Sequence, residues 1–201
     1  EALTHAGAYL DCGLEIQRVD AEDIEKHGAE AYLSGVGGIL IPGGFGDRGI
    51  EGKIEAARFA RETKLPYFGI CLGMQIATIE YARHVCGFEG ANRQEFAEKD
   101  EHLVICLLEG QKKVEKKGGS MRLGTWVTDI KPDTRTYDLY QSATITERHR
   151  HRYEVNPVYK ERLEQGDLII SGASPDGTLA EIIEIADHPF FVAVQFHPEL
   201  L

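Results

Sequence analysis

The chain has 201 residues, with 33 Asp and Glu against 22 Lys and Arg, and a formal net charge of −11 at pH 7. An excess of acidic residues disfavours nucleic-acid backbones and anionic membranes as partners, and no apolar run approaches the ~18 residues of a membrane span. With 42% hydrophobic and 27% charged residues, the composition is that of a globular protein long enough for one sizeable core.

The four cysteines, Cys12, Cys71, Cys86 and Cys106, are widely spaced without a Cys-x-x-Cys pair, and no signal peptide precedes them. This predicts a reducing, cytoplasmic setting. Cys12, Cys86, Cys106 and Trp126 are expected to be packing residues. Of the eight histidines only His149 and His151 are closely spaced, and their alternation predicts the polar face of a strand, so no bound metal is expected. Basic patches at residues 112–117 and 148–152 could still hold a single nucleotide.

Residues 1–12 have helix-like composition without a cap or a preceding strand, so the chain is expected to begin inside an element and to be a piece of a longer one. Residues 14–19 alternate as a strand does. Asp20 then reads as an N-cap with acidic residues after it, opening a helix that should run to about residue 33. Residues 38–41 predict a strand, 50–63 a helix, 66–70 a strand and 72–85 a helix. Such alternation predicts a parallel sheet flanked by helices. After Gly87 the pattern changes to a strand at 102–108, a charged hairpin or loop at 110–119, and short alternating runs at 121–130, 144–153, 168–173 and 179–186. These predict an added antiparallel section, with a turn at Ser174-Pro175-Asp176-Gly177 and a short helix opening near Asn156-Pro157. The expected fold class is therefore α/β, mostly parallel in its central sheet, with antiparallel β structure in the second half.

Three of the apolar runs end in chemistry. Residues 65–70 break at Gly69-Ile70-Cys71-Leu72-Gly73, which places Cys71 in a sharp strand-to-helix turn where unpaired N–H groups favour a thiolate and could hold an oxyanion. Residues 191–196 are followed at once by His197-Pro198-Glu199, a base and a carboxylate leaving one strand together. Residues 38–41 open into Pro42-Gly43-Gly44-Phe45-Gly46, whose bare backbone could donate N–H groups. In an open parallel sheet the carboxyl ends of the strands share one edge, so the three segments should converge.

The motifs Pro-Gly-Gly-Phe-Gly, Gly-Ile-Cys-Leu-Gly-Met-Gln and Gln-Phe-His-Pro-Glu, in this order, resemble the class I, or triad, glutamine amidotransferases. Gly118-Gly119-Ser120-Met121-Arg122-Leu123-Gly124 and the run from Arg148 to Pro157 are similar to the glutaminase domain found in the CTP synthase branch of that class. The resemblance covers nearly the whole chain, as one glutaminase domain. It implies Cys71 as nucleophile, His197 as base and then acid, and Glu199 as the group that orients the imidazole. It further implies Gly44 and Leu72 as oxyanion donors, and Gln75, Glu95 and Arg152 around the α-amino and α-carboxylate groups of L-glutamine. Gly73 and Met74 belong to the same substrate-binding turn. It implies no cofactor in this domain, ATP and Mg²⁺ in a separate synthetase domain of the same full-length chain, GTP as allosteric activator, and a homotetrameric full-length enzyme. One departure stands out: Arg93-Gln94 occupies the place where CTP synthases usually have Ser-Thr before Glu-Phe. The residues leave two alternatives, another triad amidotransferase such as a GMP synthetase subunit, and a catalytically silent nucleotide-sensing module.

Overall fold

The computed structural model describes residues 1–94, 102–107 and 121–200. In its first half strands and helices alternate: α1 (Ala2–Tyr9), α2 (Ala21–His27), α3 (Glu30–Leu33), β1 (Ile39–Ile41), α4 (Ile50–Thr63), β2 (Tyr67–Ile70) and α5 (Leu72–His84). The second half is mostly strands: β3 (Asn92–Arg93), β4 (Leu103–Leu107), β5 (Arg122–Ile130), β6 (Thr144–His151), β7 (Tyr153–Val155), β8 (Leu168–Ala173), β9 (Ala180–Ile185) and β10 (Phe191–Val194). Helices α6 (Arg135–Tyr140) and α7 (Lys160–Leu163) interrupt them.

Seven strands form one sheet in the order β1-β2-β10-β9-β8-β5-β6. Strands β1, β2 and β10 run parallel, and every later neighbour pairs antiparallel. The α/β class with an antiparallel section is as the sequence predicts, and the seven-stranded sheet itself is mixed, with two parallel and four antiparallel pairings. The last strand of the chain inserts beside β2, so Phe191 pairs with Tyr67 and Val194 with Ile70. That register sends the residues after Val194 and after Ile70 to the same edge. A second, three-stranded sheet has the order β3-β4-β7.

Helix α5 is the centre of the core. Every residue from Leu72 to Ala82 is buried, including Gln75, Thr78 and Glu80. The helix is buried all round, and its one carboxylate is paired there: Arg61 of α4 donates to Glu80 through Nε and Nη2 at 2.8–3.1 Å. The other face of the sheet buries Ile70, Ile182, Val192 and Val194, with Tyr137 and Tyr140 of α6 packed against them.

Three elements differ from the sequence reading. Residues 14–19 are not a strand: among the described residues none pairs with them, and Leu14 and Ile16 are each 52% exposed. Alternation marks a segment able to form a strand, but a strand needs a neighbour to bond to. The helix expected to reach residue 33 stops at His27, because Gly28 takes φ 82° and caps it, and the chain resumes as α3. Helix α6 is not among the expected elements, although Thr134 caps it locally by accepting from the Tyr137 N–H at 3.2 Å; the rest of its support is distant. Its first-turn N–H groups, from Arg135 and Thr136, donate to the Glu184 carboxylate of β9 at 2.9 and 3.0 Å. The loop expected at 110–119 lies outside the described residues. Two packing assignments also fail, since Cys12 is exposed and Trp126 is 46% exposed with Arg122 stacked over its ring.

The contact that fixes α5 on the sheet is backbone to backbone. A Cβ at Gly73 would lie 2.2 Å from the Ile41 carbonyl oxygen, and the Tyr67 hydroxyl donates to the Gly73 carbonyl at 2.8 Å from the strand between. Gly73→Ala is therefore expected to cost more than about 3 kcal/mol of unfolding free energy. Urea denaturation reads this, and a variant within about 0.5 kcal/mol of the parent would contradict the contact.

Candidate active site

Cys71 joins β2 to α5 with φ 52° and ψ −98°, a conformation that costs free energy for any residue with a side chain. Three hydrogen bonds hold it there. Its N–H donates to Val194 O at 2.7 Å, and its carbonyl accepts from the N–H groups of Met74 and Gln75 at 3.1 and 3.2 Å. The side chain is buried, and burial pushes the thiol up to about 12, although the Leu72 N–H and the charge of Arg93 pull it the other way. Glu154 and Glu199 add to the rise. The expectation that the helix N-terminus leaves a thiolate is thus corrected: the amide contributes in the predicted direction, but desolvation outweighs it.

His197 lies three residues beyond β10, fixed by its own N–H donating to Arg148 O at 2.8 Å. Its Nδ1 is 2.7 Å from Glu199 Oε1. An ionised carboxylate can only accept, so Nδ1 carries the proton and Nε2 keeps the lone pair. That Nε2 is buried and has no hydrogen-bond partner among the described residues. Gly43 lies between imidazole and thiol: a Cβ there would come within 2.6 Å of His197 Cε1 and 3.6 Å of Cys71 Cβ. Glycine is needed at 43 because the two side chains already fill the space.

A cavity of about 310 Å³ opens beside the thiol, lined by Gly44, Cys71, Gln75, Arg93, Arg152 and Tyr153 among others. Its size suits a small metabolite. Gln75 is buried, and its amide nitrogen donates to Tyr153 O at 3.0 Å and Gln195 Oε1 at 3.3 Å, leaving Oε1 without a partner among the described residues. Leu72, Gly73 and Met74 form the first turn of α5, with the Met74 side chain fully buried in the core. Glu95 lies outside the described residues. The sequence reading missed Arg93, Tyr153, Phe45 and His151 as lining residues. For Arg93 a signal was present in its departure from the Ser-Thr pattern; for the others there was none beyond their place next to the motifs.

Strand β6 turns Glu147, His149 and His151 inward and Arg148 and Arg150 outward, so the two histidines form no solvated face. They join a buried charge cluster. Arg122 Nη1 lies 2.6 Å from Glu181 Oε1 and 3.4 Å from Glu154 Oε1, and His151 Nε2 lies 2.7 Å from the same Glu154 oxygen. One guanidinium against two fully buried carboxylates leaves negative charge to be neutralised by a proton. Burial raises Glu181 to about 7, with Arg122 opposing and Glu154 reinforcing the rise. Burial beside Arg122, His151 and His197 lowers His149 to about 2, so it stays neutral. Among the described residues no group of three or more His, Cys, Asp or Glu side chains is arranged to hold a metal ion. No described helix is long and apolar enough to cross a membrane.

A strained cysteine at a strand-to-helix corner, a His-Glu pair leaving the adjacent parallel strand and a glycine turn between them point to acyl-transfer chemistry, and the sequence agrees. The family profile for class-I glutamine amidotransferases matches residues 1–201, and the chain belongs to that family. Within it, the chain is similar to CTP synthases. It is 55% identical over 199 residues to that of Carboxydothermus hydrogenoformans and 53% identical over 201 residues to that of Halalkalibacterium halodurans, covering 99% and 100% of this chain. It spans only 37% and 38% of those relatives' own length. In structure it resembles the glutaminase domain of Trypanosoma brucei CTP synthase with bound acivicin, with a TM-score of 0.93 and 39% identity over all of this chain and 78% of that one. A Thermoplasma acidophilum protein described as one of the subunits of a GMP synthase shares the fold, at a TM-score of 0.60 and 15% identity over 99% of this chain and 78% of that one.

The cluster behind the cavity predicts a pH dependence of stability. Because the folded pKa of Glu181 is raised, from 4.5 to about 7, its contribution is fully present below pH 4.5 and is lost as pH rises through 7. Glu181→Gln removes that titration, so relative to the parent it should gain about 3 kcal/mol between pH 4.5 and 8. Urea unfolding across that range is the measurement, and parallel stability curves for the two proteins would contradict the assignment.

Proposed function

We propose that this chain hydrolyses L-glutamine to glutamate and ammonia through a Cys71-His197-Glu199 triad. The observation that carries the reading is the pairing of a buried thiol in a strained turn with an imidazole whose Nδ1 is tied to Glu199 at 2.7 Å, both against Gly43. A thiol held near 12 does not ionise by itself, so its proton passes to His197 Nε2 as the sulfur attacks the amide carbon of the substrate. The resulting oxyanion is received by the N–H groups of Gly44 and Leu72. The tetrahedral adduct collapses as the nitrogen takes the proton from Nε2 and leaves as ammonia, forming a γ-glutamyl thioester on Cys71. Water then gives a proton to Nε2 and attacks the thioester carbon; the thiol regains its proton and glutamate departs. Glu199 acts by fixing the tautomer and stabilising the imidazolium.

The substrate's amino and carboxylate groups are assigned to Gln75, Glu95 and Arg152, with Leu72, Gly73 and Met74 shaping the turn beneath the amide. Gln75 Oε1 can accept from an ammonium, and the Arg152 fork suits a carboxylate. In the full-length enzyme the ammonia would serve a synthetase domain that aminates UTP to CTP with ATP and Mg²⁺, in the cytoplasm, as a homotetramer with GTP as activator. The identity to CTP synthases over the whole of this chain supports that wider reading. The run 148–156, similar to that branch, favours it over a GMP synthetase subunit.

Ammonia release at saturating glutamine tests the triad. Cys71→Ala should be inactive with its thermal melt unchanged. His197→Ala should lose about 10³-fold in kcat or more, and Glu199→Ala about 10–10²-fold, because the carboxylate acts only through the imidazole. Turnover in a folded Cys71→Ala protein would refute the nucleophile, and equal losses at 197 and 199 would refute the orienting role.

A further inference from the structure

Arg93 departs from the pattern of the resembling family, and the structure gives the departure a place. It is only 3% exposed, its guanidinium lies 4.0 Å over the centre of the Tyr153 ring, and it lines the same cavity as Cys71, Gln75 and Arg152. Its neighbour Gln94 serves the backbone instead, the Gln94 N–H donating to Ile105 O at 2.9 Å while Oε1 accepts from Leu107 N at 3.0 Å. Those bonds hold β3 against β4, so the strand that presents Arg93 is fixed. Arg93 and Arg152 thus present two guanidiniums to the cavity that holds the Cys71 thiol. Two guanidiniums on one cavity offer matched donors to a carboxylate, and a planar guanidinium held on an aromatic ring is oriented in advance for it.

We propose that Arg93 is a specificity-determining residue of this site: with Arg152 it receives the α-carboxylate of the substrate, so that the cavity takes anionic carboxylates in preference to their neutral counterparts. The proposal rests on the reading of the chain as a glutaminase, and its test separates the two. The first arm measures kcat and KM for glutamine in Arg93→Ser, which restores a small hydroxyl side chain, and in Arg93→Lys. KM should rise about ten-fold or more in Arg93→Ser with kcat changed less than about three-fold, and should rise by a smaller factor in Arg93→Lys. The second arm needs no glutamine turnover. Alkylation of Cys71 by iodoacetate and by iodoacetamide, followed on the Cys71 peptide by mass spectrometry, should show a rate ratio favouring the anion in the parent. That ratio should fall about ten-fold in Arg93→Ser and persist in Arg93→Lys. A folded Arg93→Ser protein with parental KM and parental alkylation ratio overturns the proposal. Were Arg93→Ser not to fold, a parental KM in Arg93→Lys would overturn it, and a raised KM would support it. Loss of the alkylation preference in a chain that never hydrolyses glutamine would keep the anion site and reject the glutaminase reading.

Discussion

The structure depends on one corner. Cys71 sits in a left-handed conformation between β2 and α5 because its N–H reaches Val194 across the sheet and its carbonyl opens the helix. The absence of a side chain at Gly73 then lets α5 lie directly on the sheet. The partner strand β10 that accepts the Cys71 N–H is the same strand whose extension carries His197. One hydrogen bond therefore links the backbone of the thiol to the strand that delivers the imidazole. Parallel register converts a local strain into a shared site, and the strain persists because the surrounding sheet over-determines it.

Burial decides how the site can work. A cysteine at a helix N-terminus in water would lean toward the thiolate, but here desolvation dominates, and the thiol stays protonated at neutral pH. On the proposed mechanism a base must therefore take the thiol proton, and His197 is suited to it because Glu199 occupies Nδ1 and leaves Nε2 as an acceptor. The charge cluster of Arg122, Glu154, Glu181, His149 and His151 continues this low-dielectric region behind the cavity. His151 belongs to both, since it lines the cavity while bonding to Glu154.

Much of this was legible in the sequence where local chemistry and periodicity agreed. Helix α4 falls on the residues expected of it, and the three motif-bearing strands end at one edge as the α/β rule requires. What could not be read depended on groups distant in sequence. Residues 14–19 alternate correctly but have no strand beside them among the described residues, and α6, capped locally by Thr134, has its first turn completed by the carboxylate of Glu184. The inward turn of His149 and His151 follows from which face of β6 meets the core, which alternation alone leaves open. Arg93 was visible as an anomaly, yet only its position over Tyr153 and in the cavity gives the anomaly a meaning.

On the proposed mechanism, glutamine hydrolysis passes through a γ-glutamyl thioester on Cys71. Acid-quenching the protein during turnover with isotopically labelled glutamine, followed by peptide mass spectrometry, tests it directly. A thioester intermediate should appear as one labelled γ-glutamyl group, located on the Cys71 peptide and released by mild base or hydroxylamine. Labelled adduct on another residue, or sustained ammonia release with Cys71 unmodified at every quench time and blocked by no thiol reagent, would contradict it.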